Sequence, residues 1–389
     1  MTTHRRWPLH PAPIDGEALS SWLHRIADCY GTQIEHLGDD IGYQLRTDRT
    51  DDIDVVPPLG MIDVLAERAG VAPARVREMS VAGWVPWLLD DMEPLPDGFA
   101  TYVRQMSVLR PVEKQKTRLV PPWRPWLSDH LRPRACPECV AASSPPQPYQ
   151  LLWAIPIISS CPAHGCWLEE TFAARGFFGI WDLDRPTPRP APESILTLDR
   201  RTLDAFDLGR VDLPRRQVHA GIWFRLLRTI IDELSCPLSE NRPSGASTIR
   251  QIWEAADYRA RDGQSLWRPY EQQSETVQWH TMEAAAIAIT LLENGSITGW
   301  GKDADLFQPA PHSAVSDGTP PTTRSLESGD GLSLMDAFNA AVDEARINPA
   351  EARTLFNLAT YKRTDADDFH DVVKMFVELD IPLDFHHAS

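Results

Sequence analysis

Apolar residues recur at steps of three and four along much of this chain. Leu19, Trp22, Leu23, Ile26 and Ala27 form one such stripe with Gly31 just beyond it, which predicts an amphipathic helix over Gly16 to Tyr30. Ile222, Leu226, Leu227, Ile230, Ile231 and Leu234 repeat the pattern, as do Met282, Ala285, Ile289 and Leu292. These stripes are core faces first. Three short helices are expected near the end, at Leu334 to Arg346, Pro349 to Tyr361 and Ala366 to Leu379, the second opening with proline in its first turn. Strands are expected only in the centre, where Tyr149 to Ile158 is aromatic and β-branched enough for a ribbon hairpin.

One helical pair has a more specific spacing. Between Ile62 and Ser80, Ala66, Gly70 and Val76 stand four and six residues apart, and Leu65, Ala69 and Val71 supply further buried contacts. A helix-turn-helix needs those residue types: a small one where the helices cross, glycine at a left-handed turn, and an apolar one inside the second helix. Pro73 suits the first turn of that second helix, although Ala72 is a poor N-cap. The second helix would expose Ala74, Arg75, Arg77 and Glu78, and both arginines can reach guanine edges or phosphates. Bent helix pairs also occur in domains that bind no DNA, and Asp51, Asp52, Asp54, Asp90 and Asp91 flank this one, so both readings stand.

The pattern breaks twice. Arg185 to Glu193 alternates proline with other residues, which bars helix and sheet ladder alike and enforces an extended path. Pro309 to Ser333 is rich in Pro, Ser, Thr, Gly and Asp without periodic apolar residues, and reads as a linker. The expected organisation is therefore a helical domain with the helix-turn-helix over 1–100 and a basic segment with a metal ribbon over 101–184. A helical domain over 194–308, a linker over 309–333 and C-terminal helices over 334–389 follow. The fold class is mainly α with a short central β-hairpin. No internal repeat of fixed period is present.

Composition bounds the chemistry. With 389 residues, 42% of them hydrophobic, the chain can bury a sizeable core in two or three domains. A polar N-terminus and the lack of any run of about 18 apolar residues predict a cytoplasmic protein with no membrane contact. Six cysteines suit a reducing compartment, with Cys29 and Cys236 expected as core thiols. The formal charge of −17 opposes nonspecific attraction to nucleic acid, so any such contact must be local.

The other four cysteines lie close together. Cys136-Pro-Glu-Cys139 and Cys161-Pro-Ala-His164 are two knuckles separated by 21 residues, and each can present two donors to one ion from a single tight turn. Three thiolates and an imidazole make a tetrahedral set suited to one Zn2+. With all four positions taken by protein the ion is structural, and Cys166 is a rival fourth ligand if His164 points away. Just before the first knuckle, Thr101 to Ala135 carries eight bases (Arg104, Arg110, Lys114, Lys116, Arg118, Arg124, Arg132 and Arg134) against Glu113 and Asp129. With Trp123 and Trp126 interleaved, this segment is either a surface for single strands or RNA or a solvated face over core tryptophans. Leu334 to Ser389 has eleven acids and five bases, which suits a protein partner better than phosphate.

Enzyme signatures are not found. Gly295 to Lys302 resembles a phosphate loop, but five residues precede its Gly-Lys pair where four are needed, and Asp303 stands where Ser or Thr should hold Mg2+. No His-Glu-x-x-His or Gly-x-Ser-x-Gly motif occurs. The chain reads as a binder, with a hydrolase or nuclease using an unrecognised carboxylate site as the weakest reading.

Two motifs carry a family resemblance. Pro13-Ile-Asp-Gly-Glu17-Ala-Leu-Ser-Ser-Trp22-Leu-His-Arg25-Ile-Ala27, followed by Gly31, resembles the opening signature of the TniQ/TnsD family of bacterial transposition proteins. Cys136 to Cys139, Tyr149, Trp153, Cys161 to His164 and Leu168 look like the same family's zinc segment, in the same order. Many relatives add another Cys-Pro-x-Cys knuckle after the histidine; here no cysteine follows Cys166 until Cys236, which leaves one zinc. The resemblance implies transposon target-site selection without catalysis. Such proteins read an attachment sequence, or dock on an RNA-guided CRISPR effector, and recruit an AAA+ ATPase that activates the transposase. Some relatives act as head-to-tail dimers, which admits a homodimer here. Independently of the resemblance, the helix pair and the basic segment make Arg75, Arg77, Lys114, Lys116 and Arg118 the expected nucleic-acid contacts. The alternative is a stand-alone helix-turn-helix DNA-binding regulator.

Overall fold

A computed structural model describes residues 6–45, 53–111, 118, 120, 122–128, 133–171, 185–241, 243–264 and 266–309. Towards the end it describes 342–343, 345–346, 352, 355–356, 359–360 and 366–383. The chain divides into two compact units, Met1–Pro311 and His312–Ser389. It is mainly helical with three two-stranded antiparallel sheets among the described residues.

The first unit opens with four helices: α1 (Leu19–Cys29), α2 (Ile34–Ile41), α3 (Met61–Ala69) and α4 (Pro73–Arg77). The predicted stripe of α1 is wholly buried and packs with Ile34, Leu37, Leu65, Ala69 and Val76 in one cluster, while Gly31 takes the left-handed conformation after the helix. The second helix pair forms as its spacing predicts. Gly70 has φ +64° and its amide bonds back to the Ala66 carbonyl, which lets α4 turn sharply away, and Val76 is fully buried beneath it.

Beyond it come α5 (Gly98–Arg104), β1 (Arg134–Ala135), α6 (Pro137–Ala142), β2 (Ser160–Cys161), β3 (Cys166–Trp167) and β4 (Glu169–Glu170). Then follow α7 (Glu193–Leu208), β5 (Arg210–Asp212), β6 (Gln217–His219), α8 (Ala220–Ser235), α9 (Pro243–Ala255) and α10 (Glu275–Glu293). The largest core is built around α8, whose Trp223, Phe224, Leu226, Leu227, Ile230, Ile231 and Leu234 are inaccessible to solvent. Helices α7 and α10 pack on it, and Ala284, Ala285 and Ala288 let α10 approach closely. This cluster runs from Ala18 through the cysteine knuckles to Phe307.

Several expectations need correction. Tyr149 to Ile158 is not a hairpin: Leu151–Ala154 forms a 3-10 turn whose four residues are all buried, so no half-exposed pleat can form. The ribbon strands flank it: β2 and β3 form a hairpin after it, with Ser160 opposite Trp167 and Cys161 opposite Cys166, while β1 before it pairs with β4 beyond it, Arg134 opposite Glu170. Strands are not confined to the centre, because β5 pairs with β6 and Val211 faces Val218. Three-residue strands are too short for alternation to reveal. Cys29 is exposed, whereas Cys236 is buried as expected. Trp123 and Trp126 are core residues, 5% and 0% exposed.

In the second unit, the helix Ala366–Glu378 contributes Val372 and Phe376 to a small core with Val342, Ala345, Ala352 and Phe356. Except for Pro309, the expected linker lies outside the described residues, as do the first eight positions of the expected helix from Leu334.

Candidate metal centre

Each knuckle is shaped by its own short sequence. Cys136 caps the N-terminus of α6, its Sγ accepting from the Cys139 amide at 3.5 Å, and Pro137 sets the first helical turn. Cys161 ends β2, and the chain folds straight back: the His164 and Gly165 amides both donate to the Cys161 carbonyl, at 3.1 and 2.8 Å. The two turns face each other. The donor atoms of Cys136, Cys139, Cys161 and His164 all lie within 4.8 Å of one another.

Their separations fit a tetrahedral ion. Zn–S bonds of about 2.3 Å and a Zn–N bond of about 2.0–2.1 Å imply S···S edges of about 3.7 Å and S···N edges of about 3.6 Å. Cys139 Sγ lies 3.7 Å from Cys161 Sγ, and His164 Nδ1 lies 3.5, 3.3 and 3.4 Å from the sulfurs of Cys136, Cys139 and Cys161. His164 therefore points inward through Nδ1. Cys136 and Cys161 are buried, Cys139 is half-buried and His164 is exposed. A bound Zn2+ would tie α6 to the β2–β3 hairpin.

A second layer of polar contacts fixes this ribbon to the rest of the unit. Asp199 on α7, fully buried, accepts from the Ser159 and Ser160 amides and from Ser160 Oγ, at 3.1, 2.6 and 2.6 Å. Burial pushes its carboxyl up to about 7 despite those bonds. Arg134 donates to the Trp153 and Ile155 carbonyls at 3.2 and 2.8 Å, so it clamps the 3-10 turn rather than facing solvent. The extended proline run joins in, for Trp167 donates to the Arg189 carbonyl and Ala191 to the Gly165 carbonyl.

The N-terminal signature is a buried brace to this ribbon. Ser21 Oγ donates to Glu17 at 3.0 Å and accepts from the Tyr149 amide at 2.8 Å. Ala18 donates to the Tyr149 carbonyl and Leu151 to that of Gly16. Glu17, 1% exposed, also receives the Arg25 guanidinium at 2.6 Å and the Ile14 amide at 3.0 Å. Asp54 accepts from the amide and hydroxyl of Ser20 at 2.7 and 2.6 Å, and burial pushes its carboxyl up to about 6. The long-range partners could not be paired from sequence, since Ser21 and Tyr149 are 128 residues apart and Ser20 and Asp54 are 34 apart.

These contacts make one folded segment of the two motifs. Residues 8–168 match the TniQ family model. The chain carries a TniQ domain. No curated protein and no solved structure matches it. The TniQ domain supports an adaptor role in transposition and target-site selection. It ends one residue beyond β3, so it includes α1 to α4 and the whole candidate metal centre.

The expected nucleic-acid contacts are placed differently from one another. Arg77 is exposed on α4, whereas Arg75 pairs with Asp15 and lies 3.8 Å from Glu78. Lys114 and Lys116 lie outside the described residues. Arg118 is turned onto the protein, its guanidinium 4.0 Å from the Trp267 ring centre and 3.6 Å from Glu240. None of the described bases between Thr101 and Ala135 is exposed: Arg110 is 2% accessible, and Arg124 reaches the Met92 carbonyl. The described residues of this segment instead form an internal strap. Glu233 accepts from the amides of Val108, Leu109 and Arg110, while Glu271 accepts from the Trp123 indole and the Trp126 amide and pairs with Arg228. The phosphate-loop look-alike serves the same strap. Gly301 donates to the Val108 carbonyl, and a Cβ at Gly301 would strike the Ser107 backbone. No helix among the described residues is long and apolar enough to cross a membrane.

Proposed function

We propose that this chain is a non-enzymatic TniQ adaptor that links a chosen target to an AAA+ transposition ATPase. The target is DNA read directly or through an RNA-guided CRISPR effector. The observation that carries this reading is the TniQ match over residues 8–168, supported by the hydrogen bonds that join both of its motifs. A structural Zn2+ at Cys136, Cys139, Cys161 and His164 stiffens the domain, and a homodimer belongs to the same reading. Affinity capture from cells carrying the parent element is expected to recover the ATPase or an effector complex. Recovery of neither would refute the adaptor role.

The geometry of α3, Gly70 and α4 favours a second reading, a stand-alone DNA-binding regulator in which Arg75 and Arg77 touch the duplex. Lys114 and Lys116 would add phosphate contacts, and Arg118 would do so only on leaving Trp267 and Glu240. Affinity capture distinguishes the two, because a stand-alone regulator brings down no transposition ATPase. Selection of enriched sites from random duplexes then separates a direct reader, which yields a motif and loses affinity steeply with salt, from a chain that docks on an effector and yields none.

A further inference from the structure

Cys166 stands beside Cys136, one of the four donors, and is a fifth candidate ligand. Its Sγ lies 3.6 Å from Cys136 Sγ, the edge length of a zinc–thiolate tetrahedron, about 3.7 Å. The β2–β3 register places it opposite Cys161, and it is 2% exposed. The hairpin itself therefore holds this thiol at the site. His164 is the reverse case: it is the exposed member of the set, on a turn where a Cβ at the neighbouring Gly165 would meet nothing within 4 Å. The buried side of the centre thus carries a spare soft donor, and the open side carries the imidazole.

We propose that Cys166 is a reserve ligand that takes the fourth position when His164 is withdrawn or replaced, converting a set of three thiolates and one imidazole into a set of four thiolates. In that exchange the Zn–N bond breaks, a Zn–S bond forms, and the Cys166 thiol proton leaves to solvent. Thiolate sulfur suits Zn2+ at least as well as imidazole nitrogen, and both donors sit within one six-residue loop that ends on the same strand pair. The turn bearing His164 can then be remodelled by a partner while the ribbon keeps its ion. The simpler role for Cys166 is a thiol that donates to the Cys136 thiolate without ever binding metal.

The full chain should be purified as wild type, Cys136→Ser, His164→Asn, Cys166→Ser and His164→Asn/Cys166→Ser, and its zinc content measured. His164→Asn and Cys166→Ser are each expected to keep one ion per chain, and the double variant to lose it. Loss of zinc from His164→Asn as complete as from Cys136→Ser would overturn the proposal, as would retention by the double variant. Because unfolding alone would also strip the ion from the double variant, cobalt-loaded His164→Asn gives an independent reading. Its sulfur-to-metal charge-transfer band should exceed that of the wild type, reporting a fourth thiolate, and an unchanged or weaker band would refute the exchange.

Discussion

The cysteine knuckles and the arginine-rich strap before them adjoin in the chain and obey different rules. Each knuckle carries its two donors three residues apart, and one local turn suffices to aim both. The strap's cations find partners wherever the tertiary fold supplies them. Arg110 reaches the Glu240 carbonyl, 130 residues on, Arg118 meets the Glu240 carboxylate and Trp267, and Arg134 closes on two carbonyls of a 3-10 turn. Metal ligation demands a few donors at fixed short range, while a guanidinium accepts carbonyls, carboxylates and aromatic faces alike. A cluster of bases is therefore a weaker sign of a phosphate surface than two knuckles are of a metal.

The sharpest way to test the contrast is to remove one donor from each region. Cys139→Ser, combined with Cys166→Ser so that no spare thiol can take the vacated position, is expected to release the ion and unfold the ribbon, because structural zinc contributes about 10–16 kcal/mol to the folding of small fingers. Metal analysis with thermal melting checks this, and unchanged values would refute the metal centre. Glu271→Ala strands the buried Arg228 and the Trp123 indole, and should cost about 3–5 kcal/mol by urea denaturation without changing metal content.

Protonation sharpens the comparison next. Asp199 and Asp54 have carboxyls raised by burial to about 7 and about 6, so the folded chain binds their protons more tightly than the unfolded chain does. Their contribution to stability is complete at acid pH and is lost as pH rises through these values, with a slope of up to about 1.4 kcal/mol per pH unit for each group. Asp199→Asn keeps an oxygen acceptor for Ser159 and Ser160 and should flatten the denaturation profile between about pH 4 and 7. An unaltered slope would show that Asp199 is not the group responsible. The smallest effect is expected at Arg118→Ala, about 0.5–2 kcal/mol from the lost ring contact. If that variant instead keeps its stability and binds nucleic acid more weakly, the strap has an outward function as well.

The helices with strong periodicity were legible because their apolar spacing is a property of consecutive residues. Leu19 to Ala27 and Ile222 to Leu234 lie on buried faces as read, and Gly70 turns where a left-handed residue is needed. Tyr149 to Ile158 misled because β-branched and aromatic residues buried on every side leave no alternation to separate strand from 3-10 turn. Trp123 and Trp126 left two readings open, and the core reading holds because of Glu271, about 145 residues away.

The Cys/His cluster, the helix pair and the TniQ domain could be read from the chain alone, since each depends on residue types at short separations. Tertiary packing was needed to bring Ser21 to Tyr149, to set Asp199 against the β2–β3 hairpin, and to turn the described arginines of the basic run inward. Those outcomes depend on which buried polar groups meet after the chain has packed. A desolvated donor or acceptor must find some partner, and sequence proximity does not determine which.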